Sequence, residues 1–378
     1  MHLILSAPEN RPFLEQELLR ALPTSVLEPL GDSMLALKAP GSWSEIRTAV
    51  GLTVFARQWL PEARSFPVPS IRAAAETLVT ELIGCLPEGA PWRLQVEPRF
   101  GVADAGRHRC ELIRDSVIEQ LRKRRRSLLK GLDAVPKAAL GDPNLNRACP
   151  LFQPEESLVQ LLLTSLEVGF LSILPAPGPF TSMGCVSPFP LGEVPVAVDK
   201  AAPSRAFAKL AESERRMGRA IVAGETCVDL GAAPGSWTYQ PVQRGARVIA
   251  VDRSPLRDDL MRNPRVTFHQ GDAFRFVPET PVDWLLCDVI AAPERSIGLV
   301  LEWVRERRCR YFVVTIKFKG QEDYAQLDVL KREMPRWVES FQLLHLCANK
   351  NEACVFGTVG DGPLKNAGGG SSSLANFL

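Results

Sequence analysis

Nine cysteines are scattered along the 378 residues without one CxxC pair, so the sequence offers neither a zinc knuckle nor a redox dithiol, and no metal site is expected. The closest two, Cys347 and Cys354, fall inside a reading of a terminal hairpin, and all nine read as reduced, mostly buried thiols. Charge of one sign is also missing. The formal net charge is only +2, which is too little to announce nucleic-acid binding by bulk electrostatics, so any such site must be a local patch. The opening MHLILSAPENRPF is apolar at first but has no basic leader and no sustained apolar run. It reads as neither a signal peptide nor a membrane span, and a soluble cytoplasmic protein is the expectation. No internal repeat is evident.

What is present is a chain too long for one ordinary core, 46% hydrophobic and 23% charged, which implies two or three domains. The proline-punctuated PVAVDKAAP at 195–203 marks the main boundary. Beyond it, strand-like apolar runs alternate with helix-length segments: CVDL at 227–230, RVIAVD at 247–252, VTFH at 266–269, DWLLCDV at 283–289 and YFVVTI at 311–316. This alternation predicts an α/β fold, a Rossmann-like doubly wound sheet over residues 200–360. FQLLHL at 341–346 and ACVFGTV at 353–359, after a helix over 324–332, predict a closing antiparallel pair. The Gly/Ser-rich 361–378 reads as a disordered tail. The N-terminal half shows strands at 2–6 and 92–97, helices near 13–21, 70–85 and 111–130, and an apolar stretch at 158–173, which suggest one or two small α+β units with a break near 61–69.

The most informative segment is VDLGAAPGSW at 228–237, where an apolar strand ends in an acid and turns through Gly231, Ala233, Pro234 and Gly235 into a helix. Glycines there let the backbone approach a ligand. The loop is not GxGxxG, and Pro234 removes an amide where a pyrophosphate would need one, so a ligand without phosphates fits better. Asp252 ends the next strand, where such folds place an acid on the ribose hydroxyls of an adenosine cofactor. Asp272 follows the third strand, beside the expected adenine edge. Asp229, Asp252 and Asp272 thus end successive strands, although acids at such positions also serve as plain turn and cap residues.

PSRAFAKL (203–210), DLGAAPGSW (229–237), CDV (287–289), FVVTIKFKGQEDY (312–324) and NKNEACVFG (349–357) together resemble the motif set of the FtsJ-type ribose 2′-O-methyltransferases. FARQWL at 55–60 and SPF at 187–189 are similar to the RlmM-like members, which methylate a cytidine of large-subunit (23S) ribosomal RNA. The resemblance implies S-adenosyl-L-methionine as cofactor, a ferredoxin-like element over 1–62, a THUMP-like RNA-binding domain over 63–195 and the methyltransferase domain over 200–360. It also implies a catalytic tetrad of Lys209, Asp288, Lys317 and Glu352, with Ser204 and Asp288 near the cofactor. The family's loop usually reads PGGW; here Ser236 replaces the second glycine, a small residue tolerable at a helix start. Trp237 reads as packing for this loop rather than a platform for a base.

The chemistry needs these residue types. A ribose 2′-hydroxyl is a poor nucleophile, and in-line methyl transfer gains most from alignment and from removal of the hydroxyl proton. A lysine can be that base only if burial or a second cation makes its ammonium give up the proton more readily. Lys317, closing an apolar strand, is the candidate base, Lys209 the second cation, and Asp288 and Glu352 their holders. Taken alone, Lys317 could be a solvated strand end, Lys209 a surface helix lysine and Glu352 a turn residue. For RNA, the densest basic cluster is Arg122, Lys123, Arg124, Arg125 and Arg126, with Arg57 and Arg205 as weaker candidates. Such a run binds phosphate or is simply a solvated helix face. A substrate other than ribosomal RNA, such as transfer RNA, and a non-catalytic RNA-binding factor on the same fold are the competing readings.

Overall fold

The computed structural model describes residues 1–99, 106–134, 152–174, 186–320 and 322–360. The tail expected at 361–378 lies outside the described residues. Two compact units are formed: Met1–Val222 with Gln342–Cys354, and Ala223–Phe341 with Val355–Leu378.

The first unit opens with β1 (His2–Leu5), α1 (Arg11–Ala21), β2 (Val26–Pro29), β3 (Met34–Lys38), α2 (Trp43–Val50) and β4 (Gln58–Leu60), in a sheet of order β2-β3-β1-β4. Every neighbouring pair is antiparallel, which gives the split βαβ arrangement of a βαββαβ unit. Leu3 and Leu5, two residues apart, share one face and meet Met34, Ala36 and Leu60 there. A capping box between Ser42 and Glu45 starts α2.

A second sheet follows from β5 (Arg64–Pro67), α3 (Ile71–Cys85), β6 (Trp92–Pro98), α4 (Arg107–Arg124), α5 (Arg126–Ala134), β7 (Ser157–Leu163) and β8 (Val168–Leu174), in order β5-β8-β7-β6. Cys110, Ile113, Val117 and Leu121 recur at helical spacing on α4 and pack with Leu78 and Leu82 of α3 over Trp92, Leu94 and Val159. The apolar stretch at 158–173 is the β7-β8 hairpin, its turn held by the Ser165 hydroxyl, which accepts from the amides of Glu167 and Val168. The helix expected over 111–130 is two helices. Arg125 leaves the helical region at φ −156°, and α5 is drawn onto the start of β6. There Trp92 Nε1 donates to the Leu128 carbonyl at 2.7 Å, and a Cβ on Gly131 would lie 2.2 Å from the Ala90 carbonyl oxygen.

The two short N-terminal motifs meet. Gln58, in FARQWL, accepts from the Ser187 amide at 2.8 Å and donates to the Ser187 carbonyl at 2.9 Å. Arg93 and Gln95 of β6 both donate to the Pro188 carbonyl, and Arg93 is paired with the fully buried Glu156 at 2.7 Å. Further along, α6 (Phe207–Met217) and residues 342–354 group with this unit. Side-chain bonds hold them: Arg216 to the Gly192 carbonyl, Gln342 to the Arg216 carbonyl and Glu212 to the Cys347 amide. The units therefore divide after Val222, about twenty residues beyond the proline-punctuated segment.

The second unit carries β9 (Thr226–Leu230), α7 (Ser236–Gln243), β10 (Arg247–Asp252), α8 (Asp258–Met261), β11 (Val266–Gln270), β12 (Val282–Cys287), α9 (Pro293–Arg305), β13 (Cys309–Lys317) and α10 (Leu327–Glu333). The closing strands β14 (Ser340–Leu344) and β15 (Glu352–Thr358) run from one unit into the other. The sheet order is β11-β10-β9-β12-β13-β15-β14. Strands β9 to β13 pair in parallel. The Glu339 amide donates to the Thr358 carbonyl, joining the start of β14 to the end of β15 as an antiparallel pair requires. This is a Rossmann-like, doubly wound α/β sheet, mixed by its last two strands. Among the described residues, no helix is long and apolar enough to cross a membrane.

Candidate active site

In the sheet order, the chain winds from β9 outward through β10 and β11, then returns to β12 on the other side of β9, so the crevice of the doubly wound fold opens at the carboxyl ends of β9 and β12. Gly231 turns the chain there at φ +76°. A Cβ on it would sit 2.9 Å from the Val289 Cα, so only glycine lets the two strand ends come this close. The loop is anchored on β10. The amides of Gly231 and Ala232 donate to the Val251 carbonyl, and the Ala233 amide donates to Asp252 Oδ2 at 3.0 Å. Pro234 accepts from the Arg257 amide, and Gly235, at φ +109°, lies where a Cβ would be 2.3 Å from Leu260 Cδ1. Ser236 is the first residue of α7 and is absent from the positive-φ positions, so the departure from PGGW falls where any L-residue fits. Trp237 is buried, as loop packing requires.

The three acids have different surroundings. Asp229 is buried at 1% exposure. Its Oδ2 accepts from the Thr238 hydroxyl at 2.7 Å, and its Oδ1 has no hydrogen-bond partner among the described residues. Burial pushes its carboxyl up to about 7, against the Thr238 bond and with help from the charges of Asp288 and Asp252. Asp252, partly exposed, accepts the Ala233 amide on one oxygen and the Ser254 amide on the other, so it shapes the loop while keeping lone pairs free for a ligand. Asp272 accepts from the Phe274 amide, which holds its carboxyl below the usual range, and pairs with Arg253 at 2.9 Å. It caps its turn.

The four remaining candidates form two lysine–carboxylate ion pairs. In the second unit, Lys317 Nζ at the end of β13 donates to the Asp288 main-chain carbonyl at 2.7 Å and lies 3.1 Å from Asp288 Oδ1. In the first, Lys209 Nζ on α6 donates to Glu352 Oε1 at 3.0 Å, with the side chains only 7% and 11% exposed. Lys209 is thus no surface lysine, and Glu352 opens a buried strand.

Among the RNA candidates, Arg122 to Arg126 are all exposed across the α4-α5 break, with Lys123 on Glu119, Arg125 on Glu88 and Arg124 donating to Thr80. Ser204 and Arg205 are exposed too. Arg57 is 12% exposed and 4.0 Å from Glu193, which leaves it little surface to offer a phosphate. Sequence reasoning passed over Glu212 and Arg216, which look like solvated helix charges but are both buried.

The cradle fits an adenosine ligand bearing positive charge: glycines where the backbone needs them, Asp252 with free lone pairs, and a buried carboxylate oxygen on Asp229 awaiting a donor. The loop and the strand ends around it thus form a cradle suited to an adenosine-containing cofactor without phosphates. Residues 202–333 match the FtsJ-like methyltransferase family. The chain is 35% identical over 187 residues to the ribosomal RNA large subunit methyltransferase M of Thauera aminoaromatica, covering 47% of this chain and 51% of that protein. It is 41% identical over 137 residues to the protein of that name from Azoarcus sp. (strain BH72), covering 35% and 38%. A third from Stutzerimonas stutzeri (strain A1501) is 39% identical over 145 residues, covering 37% and 42%. The match therefore spans about half the length of these curated relatives or less.

Because Asp252 braces the loop from the end of β10 and is partly exposed there, Asp252→Ala is expected to weaken S-adenosylmethionine binding by about 1.5 to 3 kcal/mol, the range for hydrogen bonds to a charged group. RNA affinity should barely change. Calorimetry showing unaltered cofactor affinity would remove Asp252 from the site.

Proposed function

We propose that this chain is an S-adenosylmethionine-dependent RNA ribose 2′-O-methyltransferase acting on a cytidine of 23S ribosomal RNA, as naked RNA or in a precursor of the large subunit. The observation that carries the reading is the Lys317–Asp288 pair at the carboxyl end of the sheet, within a domain that matches the FtsJ-like family. The names of the relatives support the choice of RNA.

S-adenosylmethionine supplies an electrophilic methyl group. Asp229 and Asp252, with Gly231, Ala233, Pro234, Gly235 and Ser236, hold it, and Asp272 and Ser204 border it. Bound there, the cofactor would give its methyl group to O2′ and leave as S-adenosylhomocysteine, and Lys317 would take the 2′-hydroxyl proton on Nζ. Asp288 keeps that nitrogen in place. The Lys209–Glu352 pair contributes the second cation and its holder. In this reading residues 1–62 and 63–195 are the ferredoxin-like and THUMP-like parts, the protein works in the cytoplasm without a metal, and Arg122 to Arg126 with Arg205 meet phosphate.

Neutralising Arg124, Arg125 and Arg126 together should weaken RNA binding and flatten its salt dependence by about one unit of slope per lost contact, leaving cofactor binding unchanged. An unaltered slope marks the run as a solvated face. Substrate choice is tested by incubating the protein and methyl-labelled S-adenosylmethionine with separate pools of large-subunit, small-subunit and transfer RNA. Label should enter the large-subunit pool. Transfer to tRNA instead would keep the chemistry and overturn the substrate.

A further inference from the structure

Lys209 and Glu352 are 143 residues apart in sequence, and their pairing depends on two elements of the first unit keeping register: α6 and the segment that runs from 342 into β15. One buried carboxylate bridges these elements. Glu212, one turn after Lys209 on α6 and 1% exposed, accepts from Arg216 Nε and an Arg216 terminal nitrogen on Oε1, at 2.9 and 2.8 Å. Its Oε2 accepts from the Cys347 amide at 2.9 Å. Arg216, 4% exposed, extends the bridge by donating to the Gly192 carbonyl at 2.7 Å, and its own carbonyl accepts from Gln342 at 3.0 Å. Gly192 sits so close to the chain at Arg57 that a Cβ on it would be 1.9 Å from the Arg57 carbonyl oxygen. Beyond Cys347 the turn is closed by Asn349, which donates to the Glu352 carbonyl, and by His345, whose Nε2 lies 2.8 Å from the Lys350 carbonyl. A buried charge pair is seldom a net source of stability, and specificity of geometry is a better-attested use.

Building on the methyltransferase reading, we propose that Glu212 and Arg216 are positioning residues that hold the Lys209–Glu352 pair in register from within the N-terminal unit. Neither touches the reacting atoms. Their work is to tie the helix bearing the lysine to the strand bearing the glutamate, and both to the segment next to the SPF motif.

The test is a cycle. Glu212→Met with Arg216→Met removes both charges together, so no buried ion is left without its partner, and methionine adapts to the space. The full-length variant should melt within a few degrees of the wild type and bind S-adenosylmethionine with unchanged affinity. Its KM for RNA should stay within about threefold, while the single-turnover methylation rate falls tenfold or more. In a Lys209→Met background the same pair of substitutions should slow the rate less than twofold, because residues that act through one pair are not additive. Without RNA or cofactor, amides 347–352 should exchange faster in the variant. Equal losses in both backgrounds indicate general structural damage and overturn the proposal, as does an undiminished rate or unchanged exchange. Absence of ribose methylation by the wild type is a separate result, which overturns the functional reading itself.

Discussion

Lys317→Ala is expected to lower the single-turnover methylation rate by about 10²- to 10⁴-fold, the usual contribution of a general base, while cofactor and RNA affinities stay nearly intact. Lys317 closes β13 with its nitrogen fixed by two atoms of Asp288, at 2.7 and 3.1 Å, so little entropy would be lost in aligning it as the proposed base. Lys317→Arg should fail as well, because a guanidinium keeps its proton. An arginine variant working near the wild-type rate would make Lys317 a fixed positive charge and end its role as base.

The second large effect is on stability. Asp229 titrates near 7 in the folded chain because it is buried, against 3.8 for a free side chain. Such a carboxyl binds its proton more tightly folded than unfolded, so its contribution is fully present below about pH 4 and is lost as pH rises through 7. At about 1.4 kcal/mol per pKa unit, the loss comes to about 4 kcal/mol. Asp229→Asn cannot ionise. Urea unfolding of both proteins from pH 4 to 8 should therefore show the variant gaining on the wild type by up to about 4 kcal/mol across that window. Parallel pH profiles would show that Asp229 is not a buried acid.

Much of the second unit was legible because its strands are apolar runs between turn residues: RVIAVD was placed at the bounds of β10, and the closing pair at 341–346 and 353–359 fell within about two residues of β14 and β15. The N-terminal sheet was harder. β2, VLEP, is mostly exposed and lacks an apolar face, and α2 has only eight residues, too few for its period to stand out. The run at 122–126 read as one helix because helix-forming Arg and Lys hide a break that Trp92 and Gly131 impose from elsewhere in the chain. At the site, local pattern exposed the loop and Asp252, since both stand at strand ends. Lys209 and Glu352 were visible only through the family motif set, because burial of a lysine on a charged helix and its pairing 143 residues away leave no local trace. Glu212 and Arg216 had no motif to reveal them.

The central claim is that a ribose oxygen receives the methyl group. The direct measurement is to incubate large-subunit ribosomal RNA with the protein and S-adenosylmethionine, digest it to nucleosides and identify the methylated product by mass spectrometry. The account predicts 2′-O-methylcytidine, at one position, dependent on Lys317. A methyl group carried on a base, or cofactor bound with no methyl transferred to any RNA, would contradict it.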